Sequence, residues 1–362
     1  MIAPLKKTDL RSLTESELKA FCEEQKQPKF RAKQILDWLY VKRVESIAAM
    51  SNLPQEFRNL LAEKFELNAL RLKKVQGSAD TTRKFLSELH DHQLVETVLI
   101  PASLGLYGDR SDRHTICVST QVGCAYGCRF CASGLDGFRR NLTPDEIVGQ
   151  FLLVEKESGK KINNLVFMGM GEPLANYENL LKSIQILNAP WGLGLGARKI
   201  TISTSGLAPQ IEKLAQEEIQ VRLAISLHGA CDDVRNQIMP VNKKFPVARL
   251  ISACETYQKI KGRLITFEYI LLEGVNDDPA QAPLLAGLAR RAHAKVNLIP
   301  FNEVPETGFK RPSDERCRRF QAALEKLGVT TTLRIEKGHD IDAACGQLRL
   351  REIGSERQSE GA

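Results

Sequence analysis

The sequence predicts an α/β fold: a parallel sheet, open or closed as a barrel, preceded by a small helical segment and a short linking β segment. Three observations lead there. Short apolar, β-branched runs recur from about residue 114, at TICVST, LVFMGM, KITIST, VRLAISLH, LITFEYILL, KVNLIPF and TTTLRI. Stretches of helical character separate most of them. Polar and glycine-rich residues gather just after the runs, where a parallel α/β fold places its chemistry.

The elements follow in order. Residues 1–75 read as helical: Thr14-Glu15-Ser16-Glu17 is a capping box followed by helix formers. A second helical pattern runs through Phe30, Ile35, Leu36, Leu39 and Tyr40, with Lys and Arg between the apolar positions. A third starts near Pro54 with Phe57, Leu60, Leu61 and Phe65. Residues 76–113 contain LVETVLIP and read as a β linker between two domains. Residues 114–350 hold the strand–helix alternation, with clean helix starts at Thr143-Pro144-Asp145-Glu146 and Asp278-Pro279. Residues 351–362 form a polar tail that is expected to fray.

At 362 residues the chain can bury a core without disulfides or structural metal. The first residues, MIAPLKKTDLRS, lack an apolar signal core, and no apolar run approaches membrane-spanning length, so a cytoplasmic location is expected. The net charge is +7. Residues 1–75 hold 15 Lys/Arg against 10 Asp/Glu, a net of +5, which fits a polyanion such as RNA as well as an ordinary solvated surface.

Nine cysteines in a reducing compartment argue for metal or catalysis wherever they cluster. They cluster in Cys124-Ala-Tyr-Gly-Cys128-Arg-Phe-Cys131, after the first barrel strand. Zinc would need a fourth ligand, which Cys117 could supply. A [4Fe–4S] cluster on three cysteines leaves one iron open to a ligand. The CxxxCxxC spacing, with an aromatic before the last cysteine, resembles the radical S-adenosylmethionine (SAM) signature and favours the iron–sulfur reading. Gly169-Met170-Gly171-Glu172-Pro173 follows the second strand, its glycines permitting close backbone approach and Glu172 able to accept from an ammonium group; alone it is a Gly-rich turn before a helix. Ser203, Ser226, His228 and Asn302 end later strands, where polar loop residues are ordinarily satisfied locally. Cys345 stands between small residues in DIDAACGQL, with room for a substrate to approach or simply as a buried small side chain.

Together these segments resemble the RlmN/Cfr family of radical SAM RNA methyltransferases. The likeness runs from FRAKQILDWLY through VETVLIP, CVSTQVGCAYGCRFCASG, VFMGMGEPL, ITISTSG, LAISLHG and LIPFN to DIDAACGQL. It implies a partial (β/α)6 barrel in which Cys124, Cys128 and Cys131 hold one [4Fe–4S] cluster. Gly171, Glu172, Ser203, Ser226, Leu227, His228 and Asn302 would surround SAM. It implies further that Cys345 carries a methyl group from a first SAM, and that a second SAM yields the radical that activates it for attack on an adenine carbon. Cys117 would release the product by disulfide formation with Cys345, and Glu96 would accept a proton. The implied substrates are an adenosine of 23S rRNA, methylated at carbon 2, and the adenosine beside the anticodon of tRNA. A flavodoxin-like electron donor and a monomeric state complete the implication. Carbon 8 of the ribosomal adenosine is the alternative within the family, and a non-catalytic zinc RNA-binding protein the alternative outside it. Residues 102–114, Cys131-Ala-Ser-Gly and residues 334–339 depart from the commoner family wording.

Overall fold

The chain opens with a strand of two residues, β1 (Thr8–Asp9), which pairs in parallel with β2 (Phe65–Glu66) and closes the helical segment on itself. This is a computed structural model; it describes residues 7–68, 70–78, 81–102, 112–135, 137–334 and 341. Cys345, the polar tail, and most of the segments 102–114 and 334–339 lie outside the described residues.

Between β1 and β2 run α1 (Glu15–Glu24), α2 (Phe30–Leu36, continued by a π-helical turn to Val41) and α3 (Gln55–Lys64). The capping box forms: Thr14 Oγ1 accepts from the Glu17 amide at 3.3 Å, and Glu17 Oε2 accepts from the Thr14 amide at 2.7 Å. Leu18 and Cys22, Ile35 and Leu36, and Phe57 and Leu61 turn one face of each helix inward. Phe65, expected to extend the third helix, instead begins β2.

A ten-stranded sheet makes up the rest of the frame. Its first three strands, β3 (Arg71–Gly77), β4 (Arg83–Glu88) and β5 (Leu94–Pro101), are antiparallel. β5 then pairs antiparallel with β6 (His114–Cys117), Val98 opposite Cys117. The β segment expected as a linker from residue 76 is therefore corrected: it begins at Arg71 and continues the barrel sheet. The reason lies in β4 and β5, where Phe85, Leu86, Val95 and Leu99 are all buried and require a covered sheet.

β7 (Gln121–Gly123) and β8 (Phe138–Asn141) form a separate two-stranded sheet that brackets the cysteine loop. From β6 onward the large sheet is parallel, through β9 (Asn164–Phe167), β10 (Ile200–Thr204), β11 (Arg222–Ser226), β12 (Ile265–Leu271), β13 (Ala294–Pro300) and β14 (Thr331–Leu333). Six strands of the expected partial barrel thus gain a short seventh at the edge. The intervening helices include α4 (Pro144–Ser158), α5 (Tyr177–Asn188), α6 (Ala208–Gln216), α7 (Asp232–Ile238), α8 (Val247–Lys261), α9 (Ala282–Arg291) and α10 (Asp314–Lys326). Thr143 and Glu146 cap α4 as their spacing suggested. The helical segment docks on this helix, Ser12 Oγ donating to Asp145 Oδ1 at 2.6 Å and Arg43 pairing with Glu155.

Candidate active site

All seven parallel strands point the same way, so their C-terminal ends share one side of the sheet. A cavity of about 320 Å³ opens there. Its wall takes residues from β5 and β6 (Val98, Ile100, Cys117) round to β12 and β13 (Glu268, Ile270, Ile299), so the sheet curves about it.

One side of the wall carries the cysteine loop. Cys124, Cys128 and Cys131 all line the cavity. Gly123 sets the entry to the loop: its φ is +71°, and a Cβ there would fall 1.8 Å from the Gly137 carbonyl. That carbonyl accepts from the Cys124 amide at 3.0 Å, and the Cys128 carbonyl accepts from the Cys131 amide at 3.0 Å. Burial, above all, pushes the Cys124 thiol up to about 11 and Cys128 above the usual thiol range, with repulsion from the neighbouring thiolates adding to both. Such a set is unfavourable as bare thiolates and becomes favourable round a cation. Among the described residues no three His, Cys, Asp or Glu side chains already converge in metal-ligand geometry. The donor set nonetheless fits a soft centre: three thiols, no carboxylate on the loop, and one shared wall.

The next strand ends supply polar groups held in place. Gly171 has φ +95°, and a Cβ there would meet the Gln121 side chain at 2.5 Å. Gln121 Oε1 accepts from the Glu172 amide at 2.8 Å. Glu172 is buried, its Oε2 accepting from the Ser205 amide (2.6 Å) and Oε1 from the Leu174 amide (3.0 Å). Burial raises its pKa while these hydrogen bonds oppose the rise. Glu172 also lines the cavity, where its carboxylate can receive an ammonium. Ser203 Oγ and Ser226 Oγ, on adjacent strands, lie 3.5 Å apart in the wall.

His228 sits in the left-handed region at φ +56°, a strained conformation for a non-glycine residue. Its Nδ1 lies 3.0 Å from the Ile270 amide, which must donate to it; Nδ1 is therefore bare and Nε2 carries the proton. Burial, aided by the charge of Arg235, lowers its pKa to about 3, so the ring is a neutral donor. Phe130, beside Cys131, packs edge-on against it at 4.9 Å. Asn302 Oδ1 and Ser133 Oγ are buried without a hydrogen-bond partner among the described residues, and both residues line the cavity. An unpaired buried polar atom costs about 1–3 kcal/mol, a penalty that a polar ligand would relieve. The residues therefore fit SAM.

Cys117, at the end of β6, lines the same cavity, and burial pushes its thiol up to about 11. Glu96 stands just behind the lining, on the same face of β5 as Val98, its Oε1 3.9 Å from Nζ of the fully buried Lys84. Leu227 likewise lies behind the lining: its side chain is in the core and its carbonyl accepts from Arg235 Nε at 2.9 Å.

Two lining or supporting residues escaped the sequence reading. Glu268 faces the cavity with Asn297 Nδ2 donating to its Oε2 at 2.6 Å, and burial raises its pKa. A charged Glu within the largely apolar strand ITFEYIL was the signal that could have found it. Arg235 is fully buried on α7 and carried no such signal. Its pKa falls to about 10 through burial, which leaves it a cation near neutral pH.

Comparison with known proteins agrees with this geometry. The family described as "Radical SAM superfamily" matches residues 118–282, and "Ribosomal RNA large subunit methyltransferase N-terminal domain" matches residues 8–67. The chain is 54% identical to a "Probable dual-specificity RNA methyltransferase RlmN" of Akkermansia muciniphila, over 93% of this chain and 94% of that one. It is 44% identical to the "Dual-specificity RNA methyltransferase RlmN" of Syntrophus aciditrophicus, over 95% and 97% of the two chains. A crystal structure of a radical SAM methyltransferase from Sphaerobacter thermophilus superposes with a TM-score of 0.87 at 43% identity, covering 94% of this chain and 98% of that one.

Proposed function

The chain belongs to the RlmN family of radical SAM RNA methyltransferases, and we propose that it adds a methyl group to carbon 2 of an adenosine in 23S rRNA and of the adenosine beside the anticodon in tRNA. The single observation that carries this reading is the shared cavity, whose lining brings Cys117 together with Cys124, Cys128 and Cys131. The RlmN descriptions of the relatives favour it over the carbon-8 reaction, and membership of a radical SAM family leaves no place for a non-catalytic zinc protein.

In this reading Cys124, Cys128 and Cys131 hold one [4Fe–4S] cluster. Glu172 receives the SAM ammonium, and Gly171 lets the backbone come close. Ser203, Ser226 and Asn302 serve the remaining polar groups of SAM, the Leu227 backbone keeps the β11 end in place, and His228 donates from Nε2. When bound, the cluster and SAM supply a one-electron cleavage that creates a hydrogen-abstracting radical, which an adenine carbon without a lone pair requires for methylation.

The chain's own groups do the rest. Cys345 carries the methyl group to the base. Glu96 takes the proton that leaves the methylated carbon, with Lys84 beside it favouring the carboxylate. Cys117 forms a disulfide with Cys345 as the carbon–sulfur bond breaks; the bonding pair and the Cys117 proton go to the base-bound carbon, completing the methyl group, and the surplus electron of the radical addition would return to the cluster. Burial keeps the Cys117 thiol protonated and unreactive until that partner arrives.

The helical segment would hold the RNA. Arg31 lies over Phe30 (5.0 Å) and Lys42 over Trp38 (3.6 Å), which puts basic and aromatic side chains side by side on its surface, the mixture that single-stranded nucleic acid binders use. The enzyme would act as a monomer in the cytoplasm with a flavodoxin-like electron donor. Among the described residues no helix is long and apolar enough to cross a membrane.

The test is chemical. The protein is reconstituted anaerobically with iron and sulfide, incubated with SAM, reductant and protein-free 23S rRNA, and the RNA is digested to nucleosides. 2-Methyladenosine is expected; 8-methyladenosine, or no carbon-methylated adenosine from a loaded cluster, overturns the proposal.

A further inference from the structure

Arg235 is 0% exposed, and the carboxylate whose charge reaches its guanidinium, that of Asp232, does so through Asn242, whose Nδ2 donates to Asp232 Oδ1 at 2.9 Å. Its three polar atoms go to neutral acceptors. Nε donates to the Leu227 carbonyl at 2.9 Å, Nη2 to the Ser205 carbonyl at 2.5 Å, and Nη1 to Asn242 Oδ1 at 2.8 Å. A buried cation whose direct acceptors are all neutral gains from further negative charge delivered nearby.

The same helix also braces the cysteine loop. The Ile238 carbonyl, at the end of α7, accepts from the Arg129 amide at 2.9 Å. Met239, the next residue, lines the cavity with Cys128, and Arg235 and Cys128 act on one another electrostatically. Two of the guanidinium's bonds end on the carbonyls of Ser205 and Leu227. These follow Ser203 and Ser226 closely along the chain, so α7 ties three cavity-facing loops together.

We infer that Arg235 is a positioning residue whose fixed positive charge offsets the negative charge of the reduced iron–sulfur cluster on Cys128 and its neighbours. Three thiolates leave a [4Fe–4S] assembly with excess negative charge, and the electron accepted from an external low-potential donor adds one more. A nearby buried cation favours the reduced form, and the rigid fork of carbonyl bonds keeps that cation from turning away. No group in the fork needs to touch SAM or RNA for this to work.

The inference rests on the cluster-ligand reading of Cys124, Cys128 and Cys131, and its test separates the two. Reconstituted full-length wild type, Arg235→Gln and Arg235→Lys are titrated with mediators and dithionite, without SAM or RNA, and the reduced cluster is read by electron paramagnetic resonance. Arg235→Gln is expected to show about a tenfold lower ratio of reduced to oxidised cluster at a fixed potential, equivalent to about 59 mV for one electron. Arg235→Lys, which keeps the charge and loses the fork, should stay close to wild type. Equal shifts in both variants, or none in either, would reduce Arg235 to a structural clasp. If Arg235→Gln does not load iron, Asp232→Asn decides: removing the carboxylate that Asn242 links to the guanidinium should raise the reduced fraction, and an unchanged titration contradicts the inference. A wild type that binds no iron–sulfur cluster defeats the ligand reading itself.

Discussion

Two stretches of the cavity wall are built differently. On the side proposed to receive SAM, groups are fastened before any ligand arrives: Glu172 by the Ser205 and Leu174 amides, His228 by the Ile270 amide, and Gly171 by its fit against Gln121. On the side of β5 and β6, Cys117 is desolvated and Glu96 is held back beside Lys84. Under the proposed function, the contrast is between one stretch organised to bind and another organised to wait. Binding groups gain from being held in position. A thiol that must react once, and late, gains from burial that keeps its proton on.

The comparison can be broken most severely at the cysteine loop. Cys128→Ala should abolish methyl transfer, with iron content per chain falling in parallel; methylation that survives would remove the loop from the chemistry. Glu172→Ala comes next. It removes the acceptor of two backbone amides and the group assigned to the SAM ammonium, so SAM affinity should fall about 10–100-fold by calorimetry, on the scale of about 1.5–3 kcal/mol for charge-assisted hydrogen bonds.

A smaller effect sharpens the fastened wall through pH. The pKa of His228 is lowered from 6.5 to about 3, so the unfolded chain binds its proton first as pH falls. The stability this residue contributes is complete above pH 6.5 and is lost progressively towards pH 3. His228→Gln should flatten that part of the stability–pH curve, measured by denaturant unfolding of the apoprotein. A curve of unchanged slope would mean that the ring is charged in the fold. The smallest effect belongs outside the cavity: Arg43→Ala, which breaks a part-exposed pair with Glu155, should alter stability by about 1 kcal/mol or less and leave SAM affinity unchanged.

The fastened wall was the more legible one. CxxxCxxC, GMGEP, STSG and SLHG each declare local chemistry, and the strand–helix alternation places them at one end of a sheet. The capping residues Thr14 and Thr143 were equally local and lie at the helix starts they marked. What escaped depends on contacts between distant segments. The union of β3–β5 with the barrel rests on Val98 meeting Cys117, and nothing within residues 76–113 announces that partner. The bracket of β7 and β8 depends on two three- or four-residue strands, too short to carry a periodic signal. Arg235 reads as an ordinary charged helix residue until the Ser205 and Leu227 carbonyls are brought to it.

The waiting wall is tested most directly with Cys117→Ala, incubated with SAM, reductant and RNA, followed by nuclease and protease digestion and mass spectrometry of the peptide containing Cys345. The account predicts an adenosine nucleotide joined through one carbon to Cys345, accumulating because its release partner is gone. Free 2-methyladenosine at the wild-type rate, with no adduct on Cys345, would contradict it.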